Sequence, residues 1–172
     1  MTAKIRAAAL VSIALLCAAC ASAPNENNAL DNVAYPEALR SEALSLANQV
    51  RRVDGAPELR LDSTLNAAAQ AHAEDMARRG FYGHRSPERR DVADRYKANG
   101  GGLWDIIGEN ISTCLNCAAN AGQVRKFQEG WMRSPGHRRN ILDARFDSFG
   151  FGIAQAAGKV YAVQTFVRPR DH

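Results

Sequence analysis

The stretch QEGWMRSPGHRRNIL, Gln128–Leu142, brings a tryptophan, a Ser-Pro-Gly break and a histidine close together. An apolar repeat with helical spacing reaches Trp131, and Pro135 cannot continue that helix. His137 follows the break at the start of a second short helical turn. The stretch therefore predicts the end of a core helix and a histidine presented to a cleft, whose other members lie far upstream.

The segments around this corner predict helices first and strands last. One helix opens at Pro36 and stops at Asp54-Gly55; its apolar face is predicted to comprise Leu39, Ala43, Leu46, Val50 and Val53. A second helix follows Asp62, a good N-cap, and runs to Gly80 with Leu65, Ala69, His72 and Met76 on its inner face. Shorter helical patterns cover 91–99, and a third long helix begins at Ala121. Residues 149–154 and 160–167 predict a hairpin that turns near Gly158. This order of elements predicts an α+β layered domain.

The first residues predict export. Lys4 and Arg6 precede an apolar stretch at 7–19, which is shorter than the roughly 20 residues that span a bilayer. LLCAAC resembles a bacterial lipobox, which makes Cys20 the lipidated first residue of the mature protein; the alternative is a plain secretory signal and a secreted protein. We therefore predict a signal peptide at 1–19, a lipidated cysteine and flexible linker at 20–34, and one domain at 35–172. A lipid anchor would hold the protein on a membrane, and in a Gram-negative cell Ala21 predicts the outer membrane, facing the periplasm.

Net charge argues against a nucleic-acid partner. The chain carries +4, and removing residues 1–19 takes away Lys4 and Arg6 and no acids, which leaves +2. We expect a monomer.

Two cysteines remain in the domain, Cys114 and Cys117. A single CxxC pair supplies two of the four ligands of a structural zinc site. In an exported protein the pair more simply predicts a local disulfide, with a redox-active pair as the alternative.

Three local motifs carry the candidate chemistry: His84 in GHRSP, Glu109 in GEN and His137 in SPGHRRNIL. Together with LDSTLNAAAQAHAEDMA and the closing YAVQTF, their order resembles the CAP superfamily, or SCP domain, most closely its bacterial branch. The resemblance implies a three-layer α-β-α sandwich with a small, mainly antiparallel sheet. It also implies that His84, Glu109 and His137 meet in one cleft.

The sequence departs from the family pattern at one cleft position. Eukaryotic members carry a second glutamate three residues after the tryptophan, where this chain has Ser134. Glu129 cannot take its place, because five residues of helix separate the two positions by roughly 140° of rotation.

Several functions are open to such a cleft. Two imidazoles and a carboxylate have the composition of a divalent-metal site such as zinc, and a histidine with Glu109 has that of a base and its orienter. Alternatively, Glu109 only holds the histidines in place through hydrogen bonds, and the cluster has a purely structural role. The missing acid favours a ligand-binding or interaction module for a lipid or cell-wall ligand. The alternatives are a hydrolase of peptide or cell-wall substrates and a stress- or host-interaction protein with a vestigial site, so whether the chain is an enzyme stays open.

The remaining candidates have simpler interpretations. Five arginines follow the cleft histidines: Arg85, Arg89, Arg90, Arg138 and Arg139. The hypothesis is a positive rim that favours an anionic envelope ligand, such as a lipid head group or cell-wall polymer; the alternative is a solvated basic surface. His72 is predicted to be a core residue, Ser86 to shape the loop after His84, and His172 to be solvated.

Overall fold

The computed structural model describes residues 28–33 and 36–170; the predicted leader, Cys20 and His172 lie outside this part. The elements are α1 (Pro36–Asp54), β1 (Arg60–Leu61), α2 (Ser63–Arg79), α3 (Val92–Ala98), β2 (Trp104–Leu115), α4 (Ala121–Arg133), α5 (Pro135–Leu142), β3 (Ser148–Ala156) and β4 (Lys159–Pro169). None of the helices in the described part is both long enough and apolar enough to cross a bilayer.

The strands form a single mixed sheet in the order β1-β3-β4-β2. β1 runs parallel to β3, while β3 pairs with β4 and β4 with β2 in antiparallel fashion. β2 is therefore an outer strand, and β4 is central.

Helices cover both faces of the sheet, which confirms the three-layer α-β-α sandwich. Alternate residues of β3 and β4 pack against α1, α4 and α5 on one face, among them Phe149, Phe151 and Phe166. The intervening residues, including Ala154 and Val163, pack against α2 on the other face. This two-sided burial follows from the period-two alternation of side chains along a strand.

The backbone of α2 packs directly on β3, because both elements have small residues at the contact. A Cβ atom placed on Gly150 would lie 2.2 Å from the backbone of Leu65, and one on Gly152 would lie 2.3 Å from the backbone of Ala69. α2 itself has the predicted boundaries: the Asp62 side chain caps its start, and Gly80 ends it in a left-handed conformation with φ of 69°.

The predicted apolar face of α1 is wrong at its last residue. Leu39 and Ala43 are buried and Leu46 and Val50 pack partly buried against the core, but Val53 is 88% exposed. Asn48 and Arg51 take the core positions instead. The Arg51 side chain is fully buried because it donates hydrogen bonds to main-chain carbonyls of distant segments, at 2.8 Å to Ile141 and 3.0 Å to Phe146.

The two hairpin strands are longer than predicted. Residues 106–111 are the middle of a further long strand, β2, because all of them pair with β4. The hairpin turn is two residues, Ala157 and Gly158, both with positive φ, as a right-handed twist of the flanking strands favours. Part of the predicted linker contacts the domain: the Asp31 amide donates to the Gln155 carbonyl at 2.8 Å.

Candidate functional site

The candidate site lies at the edge of the sheet formed by β2. The loop after α2 carries His84, which contacts Glu109 of this strand, and α5 carries His137, whose carbonyl contacts the neighbouring Asn110. Glu109 lies in β2 itself, in register with Thr165 of the neighbouring β4. An outer strand has no neighbour on its free edge, so residues of both helical layers can meet there.

Glu109 and His84 form a direct pair. The Glu109 side chain is 3% exposed, and its Oε1 lies 2.9 Å from Nδ1 of His84, whose side chain is 56% exposed. A carboxylate only accepts hydrogen bonds, so Nδ1 of His84 donates the hydrogen of this pair. The pair therefore holds a half-exposed imidazole against a buried carboxylate.

Arg95 completes this arrangement, and the sequence analysis missed it. Its Nη2 donates to Oε2 of Glu109 at 2.6 Å and to the main-chain carbonyl of His84 at 3.0 Å. Its Nη1 donates to the carbonyl of Arg90 at 3.0 Å. The sequence indicates its burial only through spacing: Arg95 lies three residues after Val92 and next to Tyr96, on the inner face of α3.

His137 lies close enough to His84 for the two imidazoles to interact electrostatically. Burial lowers the pKa of His137, and the nearby His84 lowers it further. The main-chain carbonyl of His137 accepts a hydrogen bond from Asn110 Nδ2 at 3.2 Å. Asn140 also ties α5 to β2, with Nδ2 donating to the Glu109 carbonyl at 3.1 Å and to Asn110 Oδ1 at 2.9 Å.

The structure thus brings the three predicted cleft residues, His84, Glu109 and His137, together at the free edge of β2. It does not supply a second acid from either of the positions considered. Ser134 links α4 to α5, and Glu129 is more than half exposed and pairs with Arg133 at 4.0 Å. Glu129 contributes to a groove on the far side of α4, which agrees with the rotation predicted for it.

The donor set does not fit a metal ion bound by all three residues. Both oxygens of Glu109 are already engaged, one by His84 and the other by Arg95. Within the described residues, no group of three or more His, Cys, Asp or Glu side chains is arranged to hold a metal ion. Two imidazoles remain, fewer than the three protein ligands of catalytic zinc sites. Metal binding by His84, Glu109 and His137 therefore stays a prediction that the geometry does not favour.

The remaining candidates are structural. His72 is 1% exposed, and its Nε2 lies 2.9 Å from the Gly83 carbonyl. Ser86 is buried, and its hydroxyl accepts from the Arg90 amide at 3.3 Å. Cys114 and Cys117 form the predicted disulfide, with their Cα atoms 5.8 Å apart.

A second feature lies on the opposite side of α5. Two adjoining cavities of about 510 and 630 Å³ form one groove between α1, α4 and α5, which we call the helix groove. The apolar lining of the larger cavity is Leu46, Val50, Val53, Met132 and Leu142. Leu46, Val50 and Val53 belong to the predicted apolar face of α1; Leu46 and Val50 also pack against the core, whereas Val53 lines only the groove.

The arginines predicted to surround the histidines are divided between the two sites. Arg85 pairs with Asp91 at 3.5 Å near the cleft. Arg138 and Arg139 line the helix groove, since they are about 100° and 200° around α5 from His137. Arg138 pairs with Asp54 at 3.5 Å. The positive groups after His137 thus border the groove and not the cleft.

Comparisons with known proteins agree with this fold. Residues 44–167 match the family described as CAP, the cysteine-rich secretory protein family. Uncharacterized protein YkwD of Bacillus subtilis (strain 168) is 29% identical over 144 residues, which are 84% of this chain and 53% of that protein. This chain therefore spans about half of that relative's length.

Solved structures share the architecture. An extracellular protein containing an SCP domain from Bacillus anthracis str. Ames superposes with a TM-score of 0.63 and 27% identity, covering 77% of this chain and 41% of that one. An outer surface protein from Borrelia burgdorferi gives a TM-score of 0.68 at 14% identity, covering 83% of this chain and 99% of that one, which shows the fold alone. Because the family match spans more than half of the sequence, this chain belongs to the CAP family of cysteine-rich secretory proteins.

Proposed function

We propose that this protein is an exported ligand-binding module of the cell envelope, and that its ligand is a single-chain lipid with an anionic head group. The observation that carries the proposal is the helix groove, which joins an apolar end to an end bordered by arginines. The volume of each of its two cavities falls in the range of about 300–1,000 Å³ that is typical of ligand pockets.

The apolar end suits an acyl chain. Val53 is 88% exposed at the end of α1, and Leu46, Val50 and Met132 beside it are only partly buried. These four side chains belong to two helices that flank one groove. An occupant that covered them would remove apolar surface from water, at about 0.8 kcal/mol for each of its own buried CH₂ groups.

The other end suits an anionic head group. Arg133, Arg138 and Arg139 line it, against two acids, Asp54 and Asp143. The ion pair between Arg138 and Asp54 is about half exposed, and such pairs contribute about 1 kcal/mol or less. Arg139 forms no ion pair with any described residue. The guanidinium groups of Arg138 and Arg139 can therefore bind a phosphate or carboxylate with little loss of existing ion-pair energy.

Lipid binding can be tested with palmitate and lysophosphatidylglycerol as ligands and with Val53→Glu as the variant. Val53 is almost fully exposed, so the substitution leaves the fold intact while it puts a charge on the apolar wall. We expect affinity to fall about tenfold, the equivalent of losing roughly 1.4 kcal/mol of apolar contact. Leu115→Glu is the matched control, because Leu115 is another exposed apolar residue, at 65%, outside the groove.

The head-group end has its own test. Arg139→Gln should weaken binding of both lipids and reduce its dependence on ionic strength, whereas Arg60→Gln on β1 should change neither. Binding that Val53→Glu and Leu115→Glu weaken equally would contradict the groove as the site. Affinity insensitive to salt and to Arg139→Gln would contradict an anionic head group.

Export and membrane attachment are part of the proposal. The solved relatives named above include an extracellular protein and an outer surface protein. A lipidated Cys20 would place the domain beside the membrane from which a lipid ligand could enter. Mass spectrometry of the N-terminal peptide tests this, and Cys20→Ala should release the protein from the membrane fraction.

The pair formed by His84 and Glu109 supports a second candidate, hydrolysis of a peptide or cell-wall substrate. Its hydrogen bond holds a half-exposed imidazole against a buried carboxylate, the arrangement of a general base and its orienter. Loss of hydrolysis in His84→Ala, with folding unchanged, would support this activity, and equal rates in wild type and variant would exclude it.

A further inference from the structure

Arg95 lies at the centre of the cleft's polar groups and is 8% exposed. Its guanidinium donates three hydrogen bonds, from Nη1 to the Arg90 carbonyl at 3.0 Å and from Nη2 to the His84 carbonyl at 3.0 Å and to Glu109 Oε2 at 2.6 Å. A buried charge needs such partners to offset its lost hydration. Arg95 and Glu109 therefore balance each other inside the domain.

These contacts join the loop that carries His84 to the strand that carries Glu109. Arg95 fixes the main chain at His84, while Glu109 fixes the imidazole of the same residue at 2.9 Å. His84 is therefore held at two points, and both depend on Arg95. An arginine suits this role, because its planar guanidinium can serve several acceptors at once.

We propose that Arg95 takes the place of a metal ion in this cleft: it neutralises and holds Glu109, positions His84, and prevents a divalent cation from binding there. Glu109 is the acid beside the cleft histidines, and its charge is already balanced by a buried guanidinium. A cation entering between His84 and His137 would find two imidazoles and no free carboxylate. Withdrawing Glu109 to bind it would leave Arg95 buried without its partner, which is strongly unfavourable.

Zinc chloride titrated calorimetrically into the full chain at pH 7 tests the proposal. Cys17 and Cys20 are replaced by Ser in every sample, so that no free thiol binds the metal. We expect no stoichiometric binding to this reference protein. Arg95→Gln frees the Glu109 carboxylate and should bind zinc at least tenfold more tightly, and adding His84→Ala should abolish the gain.

Arg95→Lys is the matched control, because it keeps the positive charge beside Glu109 and should gain no zinc affinity. Circular dichroism and thermal unfolding report whether each variant folds. If Arg95→Gln does not fold, zinc binding is compared between Glu109→Gln and the reference protein. The proposal expects that neither of these two proteins binds zinc. One zinc per chain in the reference protein, lost in Glu109→Gln, would overturn the proposal, and so would a folded Arg95→Gln variant that gains no affinity.

Discussion

Replacing Arg51 with methionine should destabilise this protein more than most single substitutions. The Arg51 side chain is fully buried and donates to the carbonyls of Pro57, Ile141, Asp143 and Phe146, at 2.6 to 3.0 Å. Hydrogen bonds to a charged group contribute about 1.5–3 kcal/mol each, so the four together give a gross contribution of about 6–12 kcal/mol. Methionine also removes the cost of burying the charge, which offsets part of this sum, and we therefore expect a net loss of about 4 kcal/mol.

Urea unfolding measures this loss directly. With a slope of about 2 kcal/mol per molar urea, the midpoint of Arg51→Met should fall by about 2 M. Arg52→Met is the matched control, because the neighbouring Arg52 is 57% exposed and pairs with an exposed Glu58. It should cost about 0.5 kcal/mol or less. A loss below about 1 kcal/mol in Arg51→Met would show that the four carbonyls find other partners, and would refute the reasoning.

Three further predictions concern the sandwich. Gly152→Ala should lower the free energy of unfolding by about 2 kcal/mol or more, because its Cβ would lie 2.3 Å from the α2 backbone. Gly130→Ala in α4 is the control: its Cβ would meet nothing within 4 Å, so stability should rise by about 0.5 kcal/mol. Equal effects of the two variants in urea unfolding would contradict direct packing of α2 on β3. Burial lowers the pKa of His72, so the unfolded chain takes up a proton at this residue near pH 6.5 and the folded chain only at lower pH. The free energy of unfolding should therefore fall as pH drops below about 6.5, and His72→Gln should make this fall smaller. The same pH profile of stability in wild type and His72→Gln would contradict the role given to His72. Replacing Cys114 and Cys117 by Ser should cost about 2 kcal/mol, because the disulfide closes a very short loop, and a loss above about 4 kcal/mol would indicate a larger role.

The elements that local rules govern were predictable from the sequence. Asp62 and Gly80 mark the ends of α2 because an N-cap side chain and a left-handed glycine act within one helical turn. Pro135 marks the break between α4 and α5 for an equally local reason. The cleft was predicted only from the resemblance to the CAP family, because the spacing of the histidines and the glutamate along the sequence does not show that they meet.

Buried arginines were not predictable in this way. The partners of Arg51 in α5 and the loop after it lie 90 or more residues away, and Glu109, the partner of Arg95, lies on another element. A charged residue on a helix predicts a solvated face unless such acceptors are known. The same limit explains the error in α1: once Asn48 and Arg51 occupy the core, the helix turns Val53 away from it.

α5 connects the two candidate sites, because consecutive residues of this short helix face different surfaces. His137 faces the cleft, Ile141 is fully buried, and Arg138 and Leu142 line the helix groove. Asn140 fixes the helix to β2 at the level of Glu109. A ligand that shifted α5 from the groove side would therefore have to break these contacts or move His137 with the helix. Tight packing and the asparagine bonds favour a fixed α5, so a ligand in the groove should leave the position of His137 unchanged.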